Sequence, residues 1–490
     1  MTNRIDRRTF CMNACFGSTA LLLNPEVFAQ VLKQGNRPNV VYILADDLGW
    51  GDMDVYNRHS AVPTPNCNAF AKQGMRFTDM HASSAVCTPS RYSILTGRYC
   101  WRSRLKQGVL NGDSPDLIEP GRLTVPLMLK QDGYYTAGVG KWHLGLGNAE
   151  KTDFTKPLIP GPITHGFDYY FGIPASLDMA PYVYFENDHV VEQATIPDPG
   201  SKSPRGVFWR AGLRAADFQF PQVLPTLTDK TVALLHERAQ HSAQPFFLYF
   251  AMPSPHTPWV PLPQFHGKSG AGDYGDYVAE VDAMIGRVLD TVHALGMDDN
   301  TLVIVTSDNG ADWKPEDIAR YPHRANADWR GEKADIWEAG HRIPFIARWP
   351  GHIPLNTVCE DTGSLTDLMA TMAAILHLQL PRDAGEDSFN LLPALLDPKH
   401  PQIRKTIVDA SIDGMLTIRE GDWKLELGLG SGGFSSPKRV EPAPGGVQGQ
   451  LYNLADDPHE LYNLWAQRPD IVQRLTKMLD NYSASGRTRP

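Results

Sequence analysis

Four short polar clusters in this chain of 490 residues carry groups able to do chemistry. They are Asp46-Asp47, Gly140-Lys141-Trp142-His143, Pro253-Ser254-Pro255-His256-Thr257-Pro258 and Ser307-Asp308-Asn309-Gly310. Donor type divides them into two sets. Asp46, Asp47, Asp308 and Asn309 offer hard oxygens with no sulfur or imidazole among them, which suits Ca²⁺ or Mg²⁺ rather than zinc or copper. Three carboxylates in one place would repel one another unless a divalent cation lay between them. Lys141, His143 and His256, with Lys333 further along, are cationic or protonatable groups suited to an anionic substrate and to proton transfer. The two sets together describe a cation-and-lysine pocket for a tetrahedral oxyanion.

A cysteine joins them. The run Ser83 to Arg91 precedes a helix-like segment, Tyr92 to Tyr99, and Pro89 suits the first helical position. Cys87 then stands just ahead of a helix N-terminus, where the macrodipole favours anions and thiolates. On its own it reads as a buried or disulfide-bonded cysteine. A cysteine-phosphatase loop is excluded, because that chemistry needs Arg six residues after the Cys and Ser93 stands there.

Each polar cluster follows an apolar run. Val40–Leu44, Phe246–Phe250 and Leu302–Val305, with weaker runs at Tyr135–Val139 and Ile343–Ala347, read as buried strands of a parallel sheet. Ligands of open α/β sheets bind beyond the carboxyl ends of the strands, which is where the clusters fall. Between the runs lie helices. One begins at Thr64-Pro65, with Thr as N-cap and Pro at the first position, and another spans Asp276 to Leu295 and stops at Gly296. Strands alternating with helices predict an α/β fold. From about Ile403 the pattern changes to short strands, a long Gly/Ser/Pro-rich loop over 428–450 and an amphipathic helix over 469–482. This predicts a smaller α+β part with an antiparallel sheet. The expected division is 1–30 signal, 31–398 catalytic domain and 399–490 C-terminal subdomain.

Composition bounds these readings. With 42% hydrophobic and 21% charged residues the chain is a folded globular protein, and a net charge of −9 excludes a globally basic nucleic-acid binder. Six cysteines without a CxxC pair are neither a disulfide framework nor a zinc knuckle, and no run of eighteen apolar residues predicts a transmembrane segment. Arg7-Arg8-Thr9-Phe10, a modest apolar run and Ala29 resemble a twin-arginine signal peptide, which implies export to a bacterial periplasm. Loops 148–165, 178–213 and 311–329 flank the clusters and would shape subsites. Tyr182, Trp209, Trp313, His323 and Arg324 are sugar-contact candidates within them, although ordinary loop or core roles suit each as well.

Cys87-x-Pro89-x-Arg91, continuing as Ser93-Ile94-Leu95-Thr96-Gly97-Arg98, resembles the signature of the type I sulfatases. The other clusters agree in order, as do Arg330-Gly331-Glu332-Lys333, Gly421-Asp422-Trp423-Lys424 and Leu451-Tyr452-Asn453-Leu454. The likeness is nearest the arylsulfatase A and galactosamine-6-sulfatase branches. It implies an alkaline phosphatase-like fold, with a large mostly parallel sheet between helices and a smaller C-terminal α+β domain. It also implies that a separate maturation enzyme oxidises Cys87 to formylglycine. By the resemblance, Asp46, Asp47, Asp308 and Asn309 bind one Ca²⁺ together with an oxygen of modified Cys87. Arg91 and Lys141 stabilise the hydrated aldehyde, and His143 is the base that later collapses the diol. His256 and Lys333 hold the sulfate, and one of them, His256 foremost, protonates the leaving oxygen. Ser176, in Gly172-Ile173-Pro174-Ala175-Ser176, completes the substrate-binding set beside the diol. The implied substrate is a sulfated mono-, oligo- or polysaccharide. Formylglycine-dependent phosphonate and phosphodiester hydrolases share the motif, but the Asp46-Asp47 and Asp308-Asn309 pairs favour a sulfatase. A non-catalytic glycan-binding relative would have lost Cys87 or a metal ligand.

Overall fold

Val40 to Ala45 are all fully buried, and an unbroken apolar run of this kind belongs to a strand covered on both faces. The computed structural model describes residues 37–490, so the expected signal segment lies outside the described residues. In chain order the strands begin with β1 (Asn39–Asp46), β2 (Met75–His81), β3 (Tyr135–Lys141), β4 (Tyr169–Ile173), β5 (Phe185–Glu186) and β6 (His189–Val190). Next come β7 (Ile196–Asp198), β8 (Gly212–Arg214), β9 (Phe246–Pro255), β10 (Thr301–Ser307), β11 (Arg342–Arg348), β12 (Thr357–Cys359) and β13 (Gly363–Ser364). The main sheet has the order β12-β2-β11-β10-β1-β9-β3-β4-β5-β6, with β13 also on β2. Its centre, β10-β1-β9-β3-β4, is parallel throughout.

Alternate residues of β1 serve opposite faces. Val41 and Ile43 share a core with the helices Val223–Ala239 and Gly272–Ala294, through Leu224, Leu227, Tyr277, Val281 and Ile285. Tyr42 faces the other way, towards Leu368 and Leu395 of the helices Leu368–Ile375 and Leu392–Leu396. Helices thus cover both faces. The expected helix over 276–295 begins earlier, at Gly272, and ends as predicted, with Gly296 at φ +66°. Pro65 occupies the first turn of the helix Pro65–Lys72, but Thr64 makes no side-chain cap bond and instead bonds Asp54 and Asn68.

The run at Ile343–Ala347 corrects one expectation. It is β11, and it runs antiparallel to β10. A strand buried on both faces reads alike in either direction, so the connection decides. The intervening residues 308–341 remain at the carboxyl end of β10, and the chain therefore re-enters the sheet from that end.

Four further strands, β14 (Thr406–Ala410), β15 (Leu416–Glu420), β16 (Trp423–Glu426) and β17 (Gln450–Asn453), form an antiparallel sheet in chain order. Ile471, Leu475 and Leu479 of the helix Pro469–Ser485 pack on its Val408, Ile418, Leu425 and Leu451. This sheet also buttresses the first part of the chain: the Ala85 N–H donates to the Ala410 carbonyl, and Ile412 donates to Ala334.

Candidate active site

Each chemistry-bearing cluster sits at the carboxyl end of a neighbouring strand. Asp46 ends β1, Lys141 ends β3, His256 follows β9 and Asp308 follows β10. Close strand approach requires Gly140, at φ +123°, where a Cβ would stand 1.8 Å from the Ala251 carbonyl oxygen. Asp47 and His143, at φ +64° and +55°, hold the left-handed backbone that side-chain-bearing residues avoid, a form of strain concentrated at functional sites.

The acids and bases interlock. Lys141 Nζ lies 2.6 Å from Asp46 Oδ2, and Lys333 Nζ 2.7 Å from Asp47 Oδ2. Arg91 donates from Nε and Nη2 to Asp308 Oδ2 at 3.0 and 2.8 Å. Three carboxylates thus face three cations, so the repulsion expected among the carboxylates is already offset by protein groups. What points to a cation instead is the oxygens left over. Among the described residues, Asp46 Oδ1 and Asn309 Oδ1 are buried with no hydrogen-bond partner, while Asn309 Nδ2 donates to Asp47 Oδ1 at 2.7 Å. Orphaned buried oxygens are costly unless something satisfies them. Asp46, Asp47 and His256 also bring one ligand atom each to within 4.8 Å of one another. An oxygen-rich set with two unsatisfied members fits Ca²⁺.

Burial opposes the Asp46 carboxylate, but Lys141, His256, Arg91 and Lys333 outweigh it and hold its pKa far below the ordinary range. Asp308 is pushed up to about 6, by burial and by Asp46, against Arg91 and Lys141. Burial depresses the Lys333 ammonium, yet Asp47 and its neighbours raise its pKa overall, so it stays charged.

Cys87 opens the helix Cys87–Thr96, with Val86 as cap residue and Gly97 closing it in the left-handed conformation. The expected helix began at Pro89 and ran to Tyr99. Instead Pro89 is the third helical residue, which costs no hydrogen bond because first-turn N–H groups have no partner in the helix. Burial raises the Cys87 thiol pKa, against the fields of Lys141 and Lys333. Cys87 is a free cysteine, as are Cys67, Cys100 and Cys359.

His143 is buried, with Nε2 2.8 Å from the Leu110 carbonyl and Nδ1 without a partner among the described residues. Bonding a carbonyl requires the proton on Nε2, which leaves an Nδ1 lone pair free to accept another. Burial first, then Lys141, depresses its pKa well below the ordinary value and keeps the ring neutral. His256 Nδ1 approaches the Thr257 carbonyl at 2.6 Å, and Nε2 lies 3.8 Å from Asp47 Oδ2. Ser176 follows β4, buried and with no partner for its hydroxyl among the described residues, on the loop whose Pro174 carbonyl accepts from the His143 N–H at 3.0 Å. All eleven expected site residues are buried.

Other expectations yield to loop structure. Trp313 and His323 are buried. His323 Nε2 binds Asp52 Oδ1 at 2.8 Å, and the Trp313 indole donates to the His323 carbonyl. Tyr182 donates to the Arg210 carbonyl, Trp209 to Asp198, and Arg324 to three carbonyls of its own loop. Asp52 is a residue the sequence reading passed over. Fully buried, it accepts from Tyr274 and from the Gly49 N–H, both at 2.6 Å, and so fixes the turn that carries Asp47. Its only signal was a carboxylate five residues beyond the Asp46-Asp47 pair.

A parallel sheet whose strand ends gather fixed cations, a helix-borne nucleophile position and two imidazoles defines a hydrolase of oxyanion esters. The particular class is settled by comparison. The family described as Sulfatase matches residues 38–378, and the chain belongs to it. An N-acetylgalactosamine-6-O-sulfatase of Bacteroides thetaiotaomicron is 35% identical, over 92% of this chain and 94% of its own. Human arylsulfatase A is 33% identical, over 90% and 87%. A solved structure from work on glycosaminoglycan metabolism by Bacteroides thetaiotaomicron superposes with a TM-score of 0.81 at 34% identity, over 91% of this chain and 99% of that one. The chain is therefore a sulfuric ester hydrolase with the alkaline phosphatase-like fold. A phosphonate monoester hydrolase of Agrobacterium radiobacter shares the fold at 19% identity and a TM-score of 0.61.

Proposed function

We propose that the enzyme removes sulfate from a carbohydrate by way of a formylglycine formed from Cys87, with one Ca²⁺ held by Asp46, Asp47, Asp308 and Asn309. The observation that carries this is the position of Cys87 at a helix start in the fields of Lys141, Lys333, Asp46 and Asp308, in a site where Asp46 Oδ1 and Asn309 Oδ1 have no hydrogen-bond partner among the described residues. Modified Cys87 would supply a hydrated aldehyde as nucleophile, and Ca²⁺ would supply charge to offset that of the transferring group. The protein groups do the rest. Lys333 and His256 hold the sulfate, and His256 donates a proton from Nε2 to the departing alkoxide. Arg91 and Lys141 fix the acidic ligands, and so the nucleophile's surroundings. His143 accepts a proton at its free Nδ1. Ser176 offers a hydroxyl that has no partner among the described residues. The names of the relatives make 6-sulfated N-acetylgalactosamine the first substrate to try.

Protein made together with a maturation enzyme should show the aldehyde mass on the Cys87 peptide. It should hydrolyse aryl and sugar sulfates far better than an aryl phosphonate, and lose activity to a chelator. Cys87→Ala should reduce turnover to background while leaving the melting temperature near wild type. An unmodified thiol in fully active enzyme would defeat the formylglycine route. We also infer export through the twin-arginine signal, since Arg7-Arg8-Thr9-Phe10 has that pattern. Undiminished export of a protein carrying both Arg7→Lys and Arg8→Lys would refute it.

A further inference from the structure

The excursion over 178–213 leaves β4 just past Ser176, and its later segment is anchored at both ends. At one end the Thr257 hydroxyl and the Trp259 N–H both donate to the Gly206 carbonyl, at 2.6 and 2.8 Å. Gly206 lies so flat on Trp259 that a Cβ would meet its ring at 1.9 Å. The Arg205 guanidinium caps the same ring at 4.7 Å and ion-pairs with Asp312 and Asp317. At the other end the Arg210 N–H donates to the Asp178 carbonyl at 3.0 Å, and Arg210 Nη1 bonds the Asp178 carboxylate. Thr257 follows His256 at the exit of β9, and Asp178 follows Ser176 at the exit of β4. In the sheet β3 lies between those strands, and its exit carries Lys141 and His143. The segment 206–210 therefore spans the carboxyl ends of β9, β3 and β4, alongside the His256 face of the site.

Two side chains on this span keep a surface that the fold does not use. Phe208 is half-buried and stays out of the core that takes Trp209, Phe218 and Phe220. Its ring is covered by the Arg210 guanidinium at 5.3 Å. Arg210 is exposed and engages only through Nη1, so among the described residues its Nε and Nη2 edge binds nothing. A guanidinium edge binds carboxylates and sulfates in two-point fashion, and the part of a half-buried aromatic ring that stays open can take the apolar face of a sugar.

We propose that Phe208 and Arg210 form a subsite for the sugar on the leaving-group side, with Phe208 against its ring and Arg210 on an anionic group of the adjoining residue. The subsite rests on the carbohydrate reading above. The test compares wild type, Phe208→Ala and Arg210→Gln by kcat/KM on 4-nitrophenyl sulfate and on three disaccharides. In each disaccharide a 6-sulfated N-acetylgalactosamine adjoins a neutral hexose, a uronate or a second sulfated hexose. Wild type should favour an acidic neighbour, and the acidic arm with the larger advantage identifies carboxylate or sulfate as the ligand. Arg210→Gln should lower the acidic-to-neutral ratio about tenfold, and Phe208→Ala should lower all three disaccharides about tenfold relative to the aryl sulfate. Ratios unchanged in the variants, including a uniform loss on every substrate, overturn the subsite alone. If wild type hydrolyses the aryl sulfate but no disaccharide, the choice of 6-sulfated N-acetylgalactosamine falls, and the subsite as drawn for it falls with it.

Discussion

The ion pairs at the site determine which substitutions are informative. Lys141 and Asp46 are fully buried 2.6 Å apart, and removing one member of such a pair typically costs about 3–5 kcal/mol by stranding the other charge. Lys141→Ala therefore confounds folding with chemistry. His256 has no such tight partner, since its Nε2 stands 3.8 Å from Asp47. His256→Ala should cost at least tenfold more on a sugar sulfate than on 4-nitrophenyl sulfate, because an alkoxide needs a proton to leave and a nitrophenolate does not. Paired kinetics on the two substrates check this, and equal losses would remove His256 as the acid. At this scale the sequence was highly legible. Asp46, Asp47, Lys141, His143, His256, Asp308 and Asn309 follow predicted strands and Cys87 precedes a predicted helix, so type and spacing gathered these. Lys333 follows no predicted strand, and Arg91 and Ser176 came only through the family resemblance. The pairing pattern was hidden, because which lysine meets which carboxylate depends on side-chain reach across strands. Asp52 was hidden for the same reason.

Elements position these groups, and one of them carries a pH signature. Glu280, in the helix Gly272–Ala294, accepts from the Leu262 N–H at 2.7 Å, and burial pushes it up to about 7 from an ordinary 4.5. The folded state then holds this proton more tightly than the unfolded chain. Between those two values stability falls as pH rises, and above them the full penalty remains. Glu280→Gln should thus gain on the order of 1–3 kcal/mol at about pH 8 and little at about pH 4. Denaturant melts across pH check it, and a gain independent of pH would exclude Glu280 as the titrating group. The positions of β1, β3, β9, β10 and β11 were readable from apolar runs and helix ends from Gly296 and Pro65, but β2, whose Arg76, Thr78 and Asp79 interrupt the apolar pattern, was not. The direction of β11 was not, since residues buried on both faces carry no polarity. The start of the Cys87 helix is not fixed by Pro89, because proline is tolerated anywhere in a first turn.

Across the whole molecule the C-terminal sheet supports the site as well as closing the fold. Ala410 and Ile412 bond the segments that hold Cys87 and Lys333, and Lys424 of β16 reaches Glu338 at 3.1 Å and Glu460 at 2.7 Å. A chain ending at residue 398 should give no soluble, active enzyme, as sedimentation and aryl sulfate assays would show. A folded and active product would mean that residues 31–398 stand alone. The sequence marked this region's antiparallel character by its short strands, but not its bonds to the motifs, which join residues hundreds of positions apart. The balance of three carboxylates against three cations has a further consequence, for turnover. With those charges cancelled, a bound Ca²⁺ would leave two positive charges. The ester brings one negative charge, and the released sulfate carries two. Attraction therefore grows as the reaction completes, and the site suits what it must let go better than what it takes in. Inorganic sulfate should compete with substrate at a Ki below the KM of a neutral sugar sulfate, and progress curves should bend early unless sulfate is removed. An enzyme indifferent to added sulfate would show that the charge is screened from the bound anion.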